Sequence, residues 1–541
     1  MSSLGLYWHT LRHLKPEQML GRVVFRIRRV KPGVRPAPEG RQQAGVWVVP
    51  TPRPRSWLED GSFRVLGVSK RVEETGWDNA SDAKLWRYNL HYLDDLLAPD
   101  GPSRRQNQAR LISKWILENP PATGTGWEPY PTSLRIVNWI KWLFAGGPDS
   151  ADMRASLAVQ ARWLERRLEY HLLGNHLWVN GKALVFAGTF FEGSEADRWC
   201  ERGLGILRDE TIEQVLSDGS HFERSPMYHA LFLEDILDVL NLAAAFPGNV
   251  PREDVQRWRD CVPRMLGWLQ AVSHGELLAH FNDVAQGVAP AISELAAYSR
   301  RLGLPDAAAA LSPREMIQGS GLVRIEAGPA VVIADVAPVG PDYIPGHAHA
   351  DTLSFEMSLA GERLFVNSGT STYETDALRA FQRSTRAHNT VTIDGEDSSE
   401  VWASFRVARR ARIVEADAGE QSSGVVLEAA HDGYARLPGR PIHRRRWELQ
   451  PESLLVRDSI EGRFRAAESR WLLAPGWHAS MAGEHRVLLR GPHRSADFEA
   501  TGAEVGIEPA EYFPTFGRVE ATQRITLRFA GAQATMRLSW G

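Results

Sequence analysis

The spacing of apolar residues changes from a helical period to a strand period near residue 310. In LWRYNLHYLDDLL, Leu85, Tyr88 and Tyr92 recur at helical intervals, and patterns of this kind continue up to the change. Later stretches such as NTVTIDGED and QRITLRFAGAQATMRLSW read as strands joined by Gly, Asp and Pro turns. The change of period predicts a helical domain followed by an all-β domain.

The length of the chain supports the same division, because a single hydrophobic core rarely grows beyond roughly 250–300 residues and this chain has 541. We predict an α+β multidomain protein with a helical domain over residues 1–310 and an antiparallel β domain over residues 316–541. The chain has 63 Lys and Arg against 66 Asp and Glu, so its charge balance gives no reason to expect a nucleic-acid partner.

The first residues, MSSLGLYWHTLRHLKPEQMLGRVVFRIRR, contain too many polar side chains for the apolar core of a secretory signal. No stretch reaches the roughly 18 uncharged apolar residues of a membrane span. We therefore expect a cytoplasmic protein without a membrane span, or a periplasmic one if a leader is missing from the sequence. The sequence does not indicate an oligomeric state.

Asn175 and His176 form a polar pair within the apolar stretch HLLGNHLWVNGKALVFAG. A buried pair of this kind destabilises the fold unless the protein or a substrate supplies hydrogen-bonding partners. The pair is therefore either a structural element bonded to the backbone or part of a binding site.

Tyr228 follows Ser225-Pro226, a typical helix start, so the sequence places it in a first helical turn at the positive end of the helix dipole. Arg224 and His229 lie close to it in the sequence. Adjacent cations lower the pKa of a tyrosine from its usual value of about 10, which would make Tyr228 usable as an acid or a base.

In the β half, His347, His349 and Asp351 alternate within PGHAHADTLSFEMSL, and they would share one face if this stretch were a strand. Further on, RAFQRSTRAHNTVTIDG contains arginines spaced by four and three residues, including Arg383, followed by His388. The arginines form either one side of a binding site or a solvated helical face.

Long ordered strings make the chain resemble the heparinase II/III family of polysaccharide lyases, particularly relatives associated with bacterial exopolysaccharide genes. The strings that carry this resemblance, over almost the full chain, are LYWHTLRHLKPEQMLGR, LWRYNLHYLDDL, GWEPYPTSLRIVNWIKW, GNHLWVNGKALVFAG, DGSHFERSPMYH, GHAHADTLSFEMSLAGERLFVNSGTSTY and RSTRAHNTVTIDGEDSSEVW. The resemblance implies an N-terminal incomplete (α/α) toroid, a C-terminal antiparallel β-sandwich and a substrate cleft between them.

The resemblance also implies catalytic roles for four residues. Asn175 and His176 match the residues that approach the uronate carboxylate, while Tyr228 and His347 match the tyrosine and histidine that handle protons. In β-elimination the C5 proton of a uronate becomes acidic enough only when its carboxylate is neutralised, which amide and imidazole donors can do. A base must then remove the C5 proton and an acid must protonate the departing O4. The sequence leaves the division of these two steps open.

Characterised members of the family often hold a zinc ion in the β domain, and the matching positions here are His349, Asn367 and His388. An amide oxygen is a poorer zinc ligand than the carboxylate usual at the Asn367 position, so hydrogen bonding among these three residues is the alternative. We expect no required cofactor and a possible structural zinc.

The expected partner is an acidic polysaccharide or oligosaccharide. We expect six further side chains to contact it: Trp127, Glu128, Glu223, Arg224, His229 and Arg383. A uronyl C5-epimerase is an alternative, because it would use the same proton abstraction. A glycoside hydrolase would need two carboxyl groups, for which Glu128, Glu223, Asp218 and Asp283 are candidates. A catalytically inactive assembly protein that binds exopolysaccharide is the non-enzymatic alternative.

Overall fold

A computed structural model describes residues 3–421 and 424–541. Helices dominate the first part of the chain: α1 (Ser3–Leu11), α2 (Pro16–Ile27), α3 (Val72–Thr75), α4 (Lys84–Tyr92), α5 (Gly101–Glu118), α6 (Pro129–Phe144), α7 (Ala151–Glu165), α8 (Gly174–Phe190), α9 (Ser194–Gln214), α10 (Pro226–Ala245), α11 (Arg252–Ala271) and α12 (Ile292–Arg301). Two small hairpins interrupt them: β1 (Ser62–Val65) with β2 (Val68–Arg71), and β3 (Ser273–His274) with β4 (Leu277–Leu278).

Helix α8 is central to the helical domain, because nearly every residue from Leu177 to Phe190 is buried. A helix that is buried on all sides has to be covered by neighbours, and α6, α7, α9 and α10 supply the cover. Buried charges also join these helices: Lys141 of α6 and Lys182 of α8 lie 2.8 and 2.7 Å from the same carboxylate oxygen of Asp238 on α10.

Strands dominate the second part, after helix α13 (Pro313–Gln318). They are β5 (Leu322–Ala327), β6 (Ala330–Asp335), β7 (Phe355–Leu359), β8 (Glu362–Phe365), β9 (Val391–Ile393), β10 (Val401–Trp402), β11 (Arg406–Val407), β12 (Ile413–Gln421), β13 (Gly424–His431), β14 (Ile442–Gln450), β15 (Ser453–Glu461), β16 (Ala467–Leu472), β17 (His478–Met481), β18 (Arg486–Arg490), β19 (Ser495–Thr501), β20 (Ala503–Tyr512), β21 (Glu520–Phe529) and β22 (Gln533–Ser539). Helix α14 (Ala377–Gln382) lies between β8 and β9.

Three antiparallel sheets of four or eight strands build the β domain, together with the small β10–β11 hairpin. Their strand orders are β5-β6-β7-β8, β20-β21-β16-β9 and β12-β13-β14-β15-β22-β19-β18-β17. Alternate residues point inward, as in β14, where Trp447 and Leu449 are buried between half-buried neighbours. One hydrophobic core contains side chains from all three sheets, among them Phe355, Trp471 and Trp447.

The predicted α+β multidomain class, helical first and antiparallel β second, is confirmed by this element order. The alternation of His347, His349 and Asp351 suggested a strand, but this stretch is a loop. The loop ends where β7 begins at Phe355. Among the described helices, none combines the length and the apolarity that crossing a bilayer requires.

Candidate active site

The polar pair at the start of α8 lies where the helical domain meets the β domain. The chain enters α8 through Gly174, whose φ is +52°, and a Cβ there would meet Ile344 Cδ1 of the β domain at 2.7 Å. A glycine therefore lets the helix start approach the loop that carries His347. Asn175 and His176 follow at once and are both partly exposed.

A carboxylate and a phenol hold the polar pair in place. His176 Nδ1 lies 3.2 Å from Glu169 Oε2, and its ring centroid is 4.6 Å from that of Tyr130. Asn175 Nδ2 donates to Tyr130 Oη at 3.5 Å. Burial lowers the pKa of His176, but the negative charges of Glu169 and Glu223 outweigh this effect and the net shift is upward. His176 thus tends to carry a positive charge beside an amide donor.

Tyr228 lies in the first turn of α10, as its sequence context predicts. Ser225 caps the helix, its hydroxyl accepting the Tyr228 backbone N–H at 3.3 Å. The ring of Tyr228 stacks on that of His347 with centroids 3.8 Å apart, and its Oη lies 3.2 Å from Tyr373 Oη. The structure thus brings a tyrosine of the helical domain against a histidine of the β domain.

The pKa of Tyr228 is shifted in the direction opposite to the one expected from its sequence neighbours. Burial, together with the nearby Tyr373 and Asp283, raises it well above the usual value. Arg224 does not counter this effect, because its guanidinium donates to the carbonyl oxygens of Ser320 and Phe222. Tyr228 therefore holds its proton at neutral pH.

The carboxylate of Asp283 contacts both His347 and His349 and fixes the orientation of their rings. Its Oδ2 lies 2.9 Å from His347 Nδ1, its Oδ1 lies 2.9 Å from His349 Nε2, and the Arg379 guanidinium pairs with the same carboxylate. Burial opposes ionisation of Asp283, but Arg379 and the two histidines hold its pKa well below the ordinary value. With Nδ1 of His347 engaged, Nε2 is the ring nitrogen left to face the cleft.

Glu223 is a buried carboxyl group between the two halves of the site. Its Oε2 lies 3.7 Å from His347 Nε2, while its charge also acts on His176. Burial raises its pKa despite these two histidines and the Asn175 backbone N–H. Glu223 thus links Asn175, His176 and His347 within one cluster.

Three of the residues expected to contact substrate are enclosed by protein. Trp127 is 3% exposed and packs against other tryptophans, with its Nε1 donating to Asn119 O. His229 is 0% exposed and bonds the Met265 carbonyl through Nε2. Arg383 is 1% exposed and donates to the carbonyls of Ala348 and Ala403. Their polar groups are satisfied by the fold and their side chains are closed to a substrate, which corrects the expectation of substrate contact for these three residues. Arg224 is half-buried, and substrate contact by Arg224 stays a prediction.

Glu128 is more exposed to solvent than most of the other residues expected to contact substrate. It stands at the N-cap of α6, its carboxylate accepts a hydrogen bond from Tyr88, and Lys84 Nζ lies 3.0 Å from it. Its side chain is 40% exposed. Because the Tyr88 ring stacks near Tyr130, which in turn contacts His176, Glu128 lies on the same side of the cleft as the polar pair.

The expected zinc ligands fit only in part. Asn367 uses its amide in the fold, since Oδ1 accepts the Asn389 N–H at 3.2 Å and Nδ2 donates to Ser354 Oγ at 3.4 Å. Asp351 instead lies with His349 and His388, and one ligand atom from each falls within 4.8 Å of the others. The described residues thus place a carboxylate, which zinc prefers to an amide, beside the two histidines.

The two imidazoles of this cluster have a separation suited to a metal. His349 Nδ1 and His388 Nε2 lie 3.3 Å apart, and two nitrogens on one tetrahedral zinc are also about 3.3 Å apart. Burial lowers the pKa of both histidines, which favours the neutral form that binds metals. Asp283 bonds the other nitrogen of His349 and so fixes the orientation of this ring.

Comparison with known proteins identifies the family and supports the fold. Residues 115–284 match the family description "Heparinase II/III N-terminus" and residues 309–541 match "Heparinase II/III-like, C-terminal". The crystal structure of heparinase III superimposes with a TM-score of 0.69 at 18% sequence identity, covering 88% of this chain and 79% of that one.

Four curated relatives are similar in sequence, and two of them illustrate the range. "FtsZ-localized protein C" of Caulobacter vibrioides is 27% identical over 485 residues, which is 84% of this chain and 80% of that protein. "Heparin-sulfate lyase" of Pedobacter heparinus is 26% identical over 322 residues, 53% of this chain and 47% of the lyase. The chain thus aligns with about half the length of that lyase.

The family matches, the lyase relatives and the superposition together give the class of polysaccharide lyases, which are carbon–oxygen lyases. Within that class the chain belongs to the heparinase II/III-like family.

Proposed function

We propose that this protein cleaves a uronate-containing acidic polysaccharide, such as an exopolysaccharide, by β-elimination. The observation that carries the proposal is the juxtaposition of a carboxylate-binding pair, Asn175 and His176, with the stacked Tyr228 and His347. Glu223 connects the two halves, so one sugar ring can contact both.

The roles follow from the bonding of each group. The Asn175 amide and the His176 imidazolium would bind the uronate carboxylate and stabilise the charge that develops as the C5 proton leaves. His347, held at Nδ1 by Asp283, would take that proton at Nε2. Tyr228, which keeps its proton because burial raises its pKa, would donate to the departing O4. Protonation of O4 and formation of the C4–C5 double bond complete the elimination.

Hydrolysis is less well supported by the carboxyl groups. Asp283 is fully buried and committed to two histidines and Arg379, while Asp218 is 2% exposed and accepts the N–H groups of Ser220 and Ser320. Glu128 is engaged with Lys84 and Tyr88. Among these four candidates, Glu223 alone interacts with both His176 and His347, whereas hydrolysis needs two carboxyl groups flanking the bond.

A non-catalytic role in assembly is the second candidate, because a relative that aligns with 84% of this chain is named for its localisation with FtsZ. A non-catalytic role would not require the arrangement of His347 and Tyr228 that suits proton transfer. The hydrogen bond from Asp283 to His347 and the stacking of His347 on Tyr228 favour catalysis.

A panel of uronate polymers tests the proposal. Heparan sulfate, heparin, chondroitin sulfate, hyaluronan, alginate and the acidic polysaccharide of the source organism are each incubated with the protein and followed by ultraviolet absorbance. Elimination creates a double bond conjugated to the carboxylate, so absorbance must rise with at least one polymer. Reducing ends without absorbance would point to a hydrolase, and solvent deuterium incorporated without shortening would point to an epimerase. Binding with no turnover of any polymer would favour the assembly role.

The protonation of His176 predicts how substrate affinity depends on pH. Its pKa is raised in the folded protein, so the imidazolium persists to a higher pH than in the unfolded chain and is lost as pH rises through the folded value. KM should therefore increase as pH rises through this range, because the imidazolium no longer attracts the uronate. His176→Gln should remove this dependence and raise KM at low pH. An unchanged KM profile in His176→Gln would contradict the assignment.

We also propose that zinc, when bound, is held by His349, Asp351 and His388. The ion would neutralise a buried carboxylate and fix His349, which shares Asp283 with His347. Elemental analysis after incubation with zinc should find the metal in the wild type and in Asn367→Ser. A zinc titration should show a more than about tenfold weaker affinity in Asp351→Asn. Chelation should lower the Tm of the first two proteins only. Loss of zinc in Asn367→Ser with retention in Asp351→Asn would contradict the ligand set.

A further inference from the structure

Helices α1 and α2 form an arm that packs on both domains through one face only. Gln18 Nε2 donates to the Tyr343 carbonyl at 3.2 Å and Trp402 Nε1 donates to Thr10 Oγ1 at 3.1 Å, both contacts being with the β domain. Phe25 lies against His171 of the helical domain with ring centroids 4.2 Å apart. The inner face of the arm is thus fixed to the body of the protein.

The opposite face of the arm is apolar and exposed. We define this outer face by the large apolar side chains that the arm turns to solvent: Leu4, Trp8, Leu11, Met19, Leu20, Val23, Val24 and Ile27. Trp8 is 66% exposed, Leu20 66% and Ile27 72%. Residues 4, 8 and 11 of α1 and residues 20, 23, 24 and 27 of α2 repeat at helical spacing, so each helix carries a continuous stripe.

The direction in which an apolar stripe faces shows what it contacts. Normally the apolar stripe faces the core and the polar side faces water, but here the stripe faces water on two consecutive helices. Soluble proteins rarely expose contiguous apolar surface of this extent unless it contacts a partner or a membrane. The outer face is therefore suited to contact an apolar surface of a partner or a membrane.

The charge of the arm identifies the occupant. Between residues 3 and 31 there are seven Lys and Arg against one Glu, although the whole chain has a net charge of −3. Lys15 pairs with Glu213 of the helical domain, but Arg12, Arg22, Arg26, Arg28 and Arg29 are exposed. Apolar side chains bordered by arginines, with Trp8 among them, match the boundary between lipid headgroups and acyl chains.

We propose that the outer face binds the surface of an anionic lipid bilayer, with the two helices lying in the plane of the headgroups. A second copy of the chain is a poorer occupant, since a two-fold contact through this face would bring the arginines of both copies together. An anionic bilayer offers both the apolar layer and the opposite charge.

Membrane binding through the arm would also orient the active site. Gln18 of the arm contacts Tyr343, which immediately precedes Ile344, the residue packed against the start of α8. The loop then continues to His347. The arm and the cleft therefore share one loop, and the bound enzyme would work on polymer close to the bilayer.

Vesicle flotation tests the proposal on the full chain. The wild type is mixed with vesicles of phosphatidylcholine alone and with vesicles that also contain phosphatidylglycerol. We expect it to float with the anionic vesicles and to be released by high salt. The double variant Leu20→Glu with Ile27→Glu should lose flotation, and Arg26→Ser and Arg28→Ser should each weaken it about fivefold. Because all four side chains are exposed, these variants should fold normally, which circular dichroism checks.

Leu117→Glu provides the matched control, because this leucine is 82% exposed on α5, outside the arm. It should float like the wild type. The proposal is overturned if the wild type does not bind anionic vesicles better than phosphatidylcholine vesicles, or if the double variant binds as well as the wild type. It is equally overturned if light scattering shows a dimer that the double variant dissociates while neither protein binds vesicles. Turnover of a soluble polymer should be unaltered by the double variant, which separates this proposal from that of the lyase.

Discussion

Tyr228→Phe is expected to lower kcat on a uronate polymer by about 10²–10⁴-fold, the usual contribution of a positioned acid. The substitution removes only the hydroxyl that would protonate O4, and the ring can still stack on His347. KM and Tm should change little. The measurement is the initial rate of ultraviolet absorbance at saturating polymer.

Two comparisons separate acid catalysis from a structural role of this hydroxyl. Tyr373→Phe removes the hydroxyl that lies 3.2 Å from Tyr228 Oη, and it should lower kcat much less. A uronide with fluoride at C4 needs no acid to expel its leaving group, so it should be cleaved by Tyr228→Phe at nearly the wild-type rate. If both substrates are affected equally by Tyr228→Phe, the hydroxyl does not act as the acid.

Asp283→Asn is expected to have the largest combined effect on stability and activity. It removes the buried charge that pairs with Arg379, and breaking a buried pair costs about 3–5 kcal/mol in free energy of unfolding. An amide at this position also disturbs the His347 tautomer that leaves Nε2 as a base, and comparable changes in other catalytic dyads cost about 10⁴-fold in kcat. Urea denaturation and steady-state kinetics measure the two effects.

Asp458→Asn is a close control within the same domain. Asp458 is also buried, and it also contacts a histidine and an arginine, with His443 Nε2 and Arg445 Nε both 2.7 Å from Oδ1. Its substitution should cost a similar free energy of unfolding. Because Asp458 contacts neither His347 nor Tyr228, kcat per folded molecule should be retained. Equal losses of kcat in the two variants would show that Asp283 contributes to stability only and does not position His347 for catalysis.

Local signals in the sequence predicted the parts of the fold that depend on them. The change of apolar period near residue 310 predicted the order of the two domains, because helices and strands bury side chains at different intervals. Ser225-Pro226 predicted the start of α10, since both the cap and the proline act within one helical turn. Capping and periodicity need no knowledge of distant residues.

The environment of each site residue depended on distant contacts. Arg224 and His229 are neighbours of Tyr228 in the sequence, but their side chains bond Ser320 O and Met265 O instead of tuning its pKa. Asp283 is 64 residues from His347 and was weighed only as a hydrolytic carboxyl group. Its position under two histidines results from a loop of the helical domain meeting a loop of the β domain.

Burial was the other quantity that the sequence left open. Trp127 lies in a turn-like stretch, yet it is covered by Trp115 and Trp163. In α2 the apolar stripe is readable in the sequence, whereas its exposure to solvent is known only once the inner face is seen to pack on Tyr343 and His171. Asp351 could have been recognised as a third ligand from its spacing to His349, but the loop that brings it beside His388 has no periodic pattern.

Product analysis in oxygen-18-labelled water tests the central claim most directly. The protein is incubated with the polymer that it degrades, and the oligosaccharides are examined by mass spectrometry. β-Elimination breaks the C4–O bond without adding water, so the account predicts that each cleavage leaves an unsaturated uronate end and no solvent oxygen in the products. Products that gain one labelled oxygen per cleavage, with no unsaturated end, would contradict it.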